Sequence, residues 1–205
     1  MSRPNIIAIT GGTCSGKTTI QRVLRETRFP QKIFYIPEIA STLFKGGFPK
    51  PGKHLKWSNQ WQREFEMAIL YAQIAFEEAY VLAAQENKVD LIITDRGCMD
   101  IRAYTPEVLE DYLSKHGLTQ EALFERYRAV IHLESLATAM PEEYEQHVGV
   151  EEDRFEPLDV AKELEAKTRA AWQQHPYWHF VAGSTQIAEK IAKVIQIIKE
   201  IIRAD

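Results

Sequence analysis

Residues 9–19 read ITGGTCSGKTT and close an apolar run that begins at Asn5. The spacing Gly11-x4-Gly16-Lys17-Thr18 satisfies G-x-x-x-x-G-K-[ST], the pattern of a loop that cradles phosphates. Each residue type has a physical reason. Gly11 and Gly16 let the backbone turn tightly enough for its N–H groups, from Gly12 through Thr13, Cys14 and Ser15, to point at phosphate oxygens. Lys17 reaches the β- and γ-phosphates, and Thr18 offers its hydroxyl to Mg²⁺. A helix starting at about Lys17, with Thr19 in its first turn, adds its positive N-terminal end. A strand before and a helix after argue against a chance glycine-rich turn. ATP or GTP, with Mg²⁺, is the expected ligand of residues 11–19.

Outward from this loop, the chain alternates strands and helices. Residues 5–10 read as a buried strand, 17–26 as a helix and 32–36 as a second strand stopped by Pro37. Residues 44–56 are loop-like and basic, and either close over an anionic substrate or are an ordinary solvated loop. Ser58 is placed to cap a long helix reaching Asn87, whose apolar positions Trp61, Phe65, Ala68, Ala72, Ala75, Ala79 and Leu82 recur at helical spacing. Residues 89–94 form a third strand, 106–116 and 119–127 short helices, and 129–133 a fourth strand. Residues 136–153 read as irregular and acidic, 155–173 as a helix, and 178–181 as a fifth strand. Ser184 or Thr185 caps a last helix with Ile187, Ile191, Val194, Ile198 and Ile201 on one face. This alternation predicts an α/β sandwich of three layers around a five-stranded parallel sheet.

Several charged residues stand where the chemistry of a bound triphosphate needs them. Asp95 ends the strand DLIITD, the position for a second contact to Mg²⁺; the bland reading is a cap for the next helix. Arg96 beside it can grip a phosphate with its guanidinium fork, or form a surface ion pair. Glu38, in IPEIA, can take a proton from a hydroxyl acceptor, help hold metal, or merely start a helix after Pro37. Arg154, in EEDRFEP, follows six acidic residues between 142 and 153; it either neutralises them or swings onto phosphates from a lid. Cys14 and Cys98 follow two of these elements. They are either packing residues or, if the first and third strands are neighbours, thiols at one edge of the sheet.

Composition bounds the rest. At 205 residues with 45% hydrophobic content, the chain suits a single domain, 1–205, with a lid segment at about 136–156. A net charge of −4 argues against nucleic-acid binding, which needs a basic face. Two cysteines without repeated spacing offer neither a disulfide framework nor a zinc site. No uninterrupted apolar run approaches the ~18 residues of a membrane span, and Met1-Ser2-Arg3-Pro4 leads straight into a strand, so a cytoplasmic protein is expected.

The combination of Gly11-x4-Gly16-Lys17-Thr18, Pro37-Glu38-x-Ala40, Gly46-Gly47-Phe48-Pro49, Trp61-Gln62, Asp95-Arg96-Gly97-x-x-Asp100-x-x-Ala103-Tyr104 and Arg154-x-Glu156 resembles the NadR-like AAA family. These small P-loop NTPases are similar to nicotinamide riboside, nucleoside and thymidylate kinases. The resemblance covers about residues 5–182. It implies a kinase-like strand order 2-3-1-4-5, and transfer of the γ-phosphoryl group to a small nucleoside- or nucleotide-like acceptor. It also implies that Lys17, Glu38, Arg96 and Arg154 act in catalysis, and that Thr18 and Asp95 hold Mg²⁺. The rival function is a nucleotide-binding switch with slow hydrolysis that signals to a protein partner.

Overall fold

The computed structural model describes residues 4–52, 54–147, 156–184 and 186–203. Its strands β1 (Asn5–Thr10), β2 (Ile33–Ile36), β3 (Leu91–Asp95), β4 (Ala129–Leu133) and β5 (Trp178–Val181) form one sheet in the order β2-β3-β1-β4-β5. Every pairing is parallel, as expected. The chain leaves β1 toward one edge and returns on both sides of it. That puts the C-terminal end of β1 at a switch in strand order, where ligands of open α/β sheets sit. The phosphate loop follows β1 at that end.

Helices α1 (Lys17–Glu26), α2 (Ile39–Lys45), α3 (Asn59–Asn87), α4 (Ile101–Tyr104), α5 (Pro106–His116), α6 (Gln120–Phe124), α7 (Leu136–Ala139), α8 (Pro141–His147), α9 (Leu158–Trp172) and α10 (Ile187–Arg203) cover the sheet. Successive strand residues face opposite layers. Ile6 and Ala8 of β1 join a cluster with Leu70 and Ile74 of α3, Leu109 of α5 and Trp172 of α9. Ile7 and Ile9 join Ile20 and Leu24 of α1 and Val194 and Ile198 of α10. A strand buried on both faces reads as a continuous apolar run, which is why NIIAIT has no alternation.

Helix α3, about 43 Å long at 1.5 Å per residue, crosses one face of the sheet. Ser58 caps it as expected, its Oγ accepting from the Trp61 N–H at 3.1 Å. By length and composition this helix would pass as a membrane span, with a mean hydropathy of 1.3 over its best window. The expectation from uninterrupted runs overlooked this. In the fold, α3 buries Glu66, Gln73 and Glu77 and bonds them into the protein: Gln73 Nε2 donates to Thr94 Oγ1, and Glu77 accepts from Arg126 and Tyr127.

Three departures from the expected elements have local causes. A 3₁₀ turn, Cys98–Asp100, and α4 follow β3, because Asp100 Oδ2 accepts from the Gly97 N–H and starts the turn. Residues 136–139 and 141–147 are helical rather than irregular. Ser135 Oγ caps α7 at the Ala137 N–H, and buried Ala137 and Tyr144 pack with Ala161. Helix α9 starts at Leu158 rather than Phe155, with Pro157 at its N-cap.

Candidate functional site

The phosphate loop starts from the last residue of β1 and ends in the first turn of α1. Gly11 has φ 138° and Gly16 φ 86°, conformations that favour glycine, and Cys14 also takes a left-handed φ of 56°. A Cβ at Gly11 would lie 2.1 Å from the Leu133 carbonyl oxygen. Lys17 Nζ donates to the Gly11 and Gly12 carbonyls at 2.6 and 2.7 Å and to Ser15 Oγ at 3.1 Å. Burial, then the Arg96 charge, bring its pKa down to about 8 against the pull of Asp95, Glu38 and Asp100. Thr13 Oγ1 donates to Glu156 Oε2, while Thr18 is exposed and Thr19 half-buried at the start of α1. One expected contact is differently placed. The Gly12 N–H donates to the carboxylate of Glu165 at 2.6 Å, so this amide is committed within the protein.

Asp95, Arg96 and Glu38 converge beside the loop. Asp95 sits opposite Ile9 in the β1–β3 register, at the end of its strand. Among the described residues it caps nothing, and its Oδ1 is buried without a hydrogen-bond partner. Burial foremost, then Glu38, push its carboxyl up to about 6, against Lys17 and Arg96. A buried oxygen without a partner, on a carboxyl whose charge burial opposes, is the environment that a cation or its bound water would relieve. Asp95 therefore fits a Mg²⁺ contact, with the exposed Thr18 hydroxyl as the second donor. Among the described residues there is no group of three or more His, Cys, Asp or Glu that could hold a metal by itself.

Arg96 adopts φ 65°, turning its side chain back over the loop. Nε donates to Glu38 Oε1 at 3.1 Å, and Nη1 to Asp100 Oδ1 at 3.0 Å and to the Gly11 carbonyl at 3.4 Å. Burial works against its charge, but Tyr104, Asp100, Glu38 and Asp95 outweigh that and hold its pKa well above the usual value. Arg96 is thus no surface ion pair: its side chain is 19% exposed. Glu38 stands at the N-cap of α2 but makes no cap bond with its side chain. Its carboxylate instead accepts from Arg96 and, at 2.5 Å, from Ser41 Oγ. Burial would raise its pKa; Arg96, Ser41 and Lys17 bring it below the ordinary carboxylate value.

Two residues had no individual role in the sequence reading. Asp100, 3% exposed, accepts from Thr10 Oγ1, Arg96 Nη1, the Gly97 N–H and Trp172 Nε1, tying β1, the turn after β3 and α9 together. Glu66, 4% exposed on α3, helps line a cavity of about 250 Å³ next to Glu38 and Arg96. Gln62, Phe65 and Gln73 of α3 line it too, as do Tyr104 and Glu156. A carboxylate seven or eight residues into an amphipathic helix carries no local signal; only the placement of α3 over the sheet brings Glu66 here.

Arg154 lies outside the described residues, as do residues 148–155 of the expected lid and Lys53 of the basic loop. Of that loop, Phe48 packs on Phe65 with ring centroids 5.1 Å apart, and Trp61 Nε1 donates to the Pro49 carbonyl at 3.0 Å. Its described lysines do not line the cavity. Neither cysteine forms a disulfide. Cys98 is buried in the α3-side core, where burial, then Glu77, push its thiol up to about 12. Cys14 packs instead with Ala137, Tyr144 and Ala161.

A family model described as an AAA domain matches residues 6–190, from β1 into α10. A search of curated proteins found no match.

Proposed function

The chain belongs to this AAA-domain family, and from that premise we propose that it is a Mg²⁺-dependent phosphotransferase. It moves the γ-phosphoryl group of ATP or GTP to a hydroxyl of a small acceptor. The observation that carries this reading is the Glu38–Arg96 pair, which stands between the phosphate loop and the 250 Å³ cavity. The triphosphate lies along residues 11–19 and the acceptor in the cavity. Thr18 and Asp95 would hold Mg²⁺, which would supply charge neutralisation at the phosphates.

In the transfer, Glu38 orients the acceptor hydroxyl and takes its proton as the oxygen–phosphorus bond forms. The bond from the γ-phosphorus to the bridging oxygen breaks, and the nucleoside diphosphate leaves. Such a transition state is loose, and the attacking hydroxyl becomes acidic only late, so a carboxylate of low pKa is basic enough. Lys17 and Arg96 neutralise the charge on the transferring group. The reading keeps a single domain with a lid segment at about 136–156, and gives Arg154 the role of a further cation toward the transferring group. The cavity wall carries Glu38, Glu66, Asp100 and Glu156 against Arg96, and two of those carboxylates already occupy the guanidinium. That balance favours a hydroxyl acceptor without a phosphate.

The test measures ATP and GTP consumption with and without a panel of nucleosides and their monophosphates. Turnover should require an acceptor, and Glu38→Gln should lower it by a factor on the order of 10² to 10⁴ while nucleotide affinity holds. Consumption indifferent to every acceptor would refute the transferase and leave the nucleotide switch.

A further inference from the structure

We infer that Glu165, oriented by His132, is the positioning residue that holds the phosphate loop in its binding shape; this rests on reading residues 11–19 as the triphosphate site. The loop is gripped from outside at successive peptides. The Thr13 carbonyl accepts from Ser135 Oγ. The Cys14 carbonyl accepts from the Leu136 N–H at 3.3 Å. The Ser15 carbonyl accepts from Lys190 Nζ at 2.9 Å. In a trans peptide the C=O and the following N–H point in opposite directions. Carbonyls 13, 14 and 15 drawn outward therefore turn the N–H groups of Cys14, Ser15 and Gly16 inward, the arrangement an anion needs.

The peptide between Gly11 and Gly12 is set the other way. Its carbonyl faces in and accepts Lys17 Nζ at 2.6 Å, so its N–H faces out. There it meets Glu165 Oε2 at 2.6 Å, on a residue only 3% exposed. Glu165 thus pins the peptide on which the catalytic ammonium rests. A Cβ at position 12 would come 2.4 Å from that oxygen, so the glycine is what admits the carboxylate.

His132, at the end of β4 and fully buried, holds the other oxygen, with Nε2 2.7 Å from Oε1. Its Nδ1 is buried without a partner among the described residues, beside the Phe180 ring stacked at a 6.1 Å centroid distance. Nε2 is therefore the ring nitrogen that has a partner, and a hydrogen on it is donated to Glu165. Burial opposes the charge of Glu165, but His132, the Gly12 N–H and Lys17 keep it a carboxylate. Helix α9 contributes Glu165, and β4 contributes His132. The loop's shape is therefore set by elements more than a hundred residues away in the chain.

Glu165→Ala and Glu165→Gln test this by calorimetry with Mg²⁺-ATP and Mg²⁺-GTP, alongside thermal melting. Loss of one charge-assisted hydrogen bond at a buried amide predicts affinity weakened on the order of 10- to 100-fold in Glu165→Ala. Glu165→Gln has one oxygen for two donors, and the orientation that keeps the Gly12 N–H bond sets its NH₂ against His132 Nε2, so it should weaken affinity less than Glu165→Ala without restoring it fully. Affinity unchanged in Glu165→Ala, or Glu165→Gln as weak as Glu165→Ala, overturns the inference. A second readout holds even if Glu165→Ala does not fold. In proton–nitrogen correlation spectra the Gly12 amide should lie far downfield in the wild type and move upfield in Glu165→Gln; an ordinary wild-type shift refutes the contact. A wild-type protein that binds neither nucleotide overturns the triphosphate reading instead.

Discussion

Replacing Glu66 by glutamine should stabilise the protein at alkaline pH and change little in acid. Glu66 accepts a hydrogen bond from Gln62 Nε2 at 2.7 Å, its only one among the described residues, and is 4% exposed, so solvent screens it little. Burial foremost, with Asp100 adding, raises its pKa from an ordinary 4.5 to about 7, while Gln62 and Arg96 oppose. The sign follows from linkage. Below pH 4.5 the carboxyl is protonated in both folded and unfolded chains and contributes nothing. Between 4.5 and about 7 the folded state binds more protons, so stability falls as pH rises. Above 7 the fold must bury a charge that the unfolded chain leaves in water, a cost of about 3 kcal/mol. Glutamine can accept the same bond from Gln62 and has no charge to bury. The variant's advantage should grow from about 1 kcal/mol at pH 5 to about 3 kcal/mol at pH 8. For a chain of this length that widens the melting-point difference by about 4–8 °C. Thermal or urea unfolding of both proteins at the two pH values measures it. Other titrating groups cancel in the difference. A difference that does not change with pH, or a wild type more stable at pH 8, would refute the reasoning.

Lys17→Ala should weaken Mg²⁺-ATP and Mg²⁺-GTP binding by roughly 10- to 100-fold or more in calorimetry, with the melting point little changed, because the cost of burying the ammonium, which lowers its pKa to about 8, offsets the bonds it makes to the loop. Asp100→Asn should destabilise the fold by about 3–6 kcal/mol, read as a melting point about 6–20 °C lower. Either orientation of the amide turns its NH₂ on one pair of donors, Thr10 and Arg96 or Gly97 and Trp172. A variant melting like the wild type would show that Asp100 is not the junction of these elements.

The parts of the site that were legible are those whose meaning is local. The loop 11–19 is contiguous, Asp95 ends an apolar strand, and Ser58 precedes a helical stripe. The short helices α7 and α8 were not legible, because acidic side chains at 142, 143 and 145 hid the few buried positions, Ala137 and Tyr144, that hold them. For Glu38 the sequence left open proton acceptor, metal ligand and helix start. The structure removed capping by its side chain and supplied Arg96 as its partner.

The sequence by itself determined the five strands, the long helices and the phosphate loop, because hydrophobic period and glycine spacing are properties of neighbouring residues. The tertiary structure decided which carboxylates matter. Glu38 meets Arg96 across 58 positions and Gly12 meets Glu165 across 153. Carboxylates look alike along a chain. What separates Asp95, with a buried oxygen lacking a partner, from Asp100, with four donors on its two oxygens, is how the sheet order and the register of α3 and α9 stack distant segments. Burial and partners set the charge state of each, and neither exists until the layers are assembled.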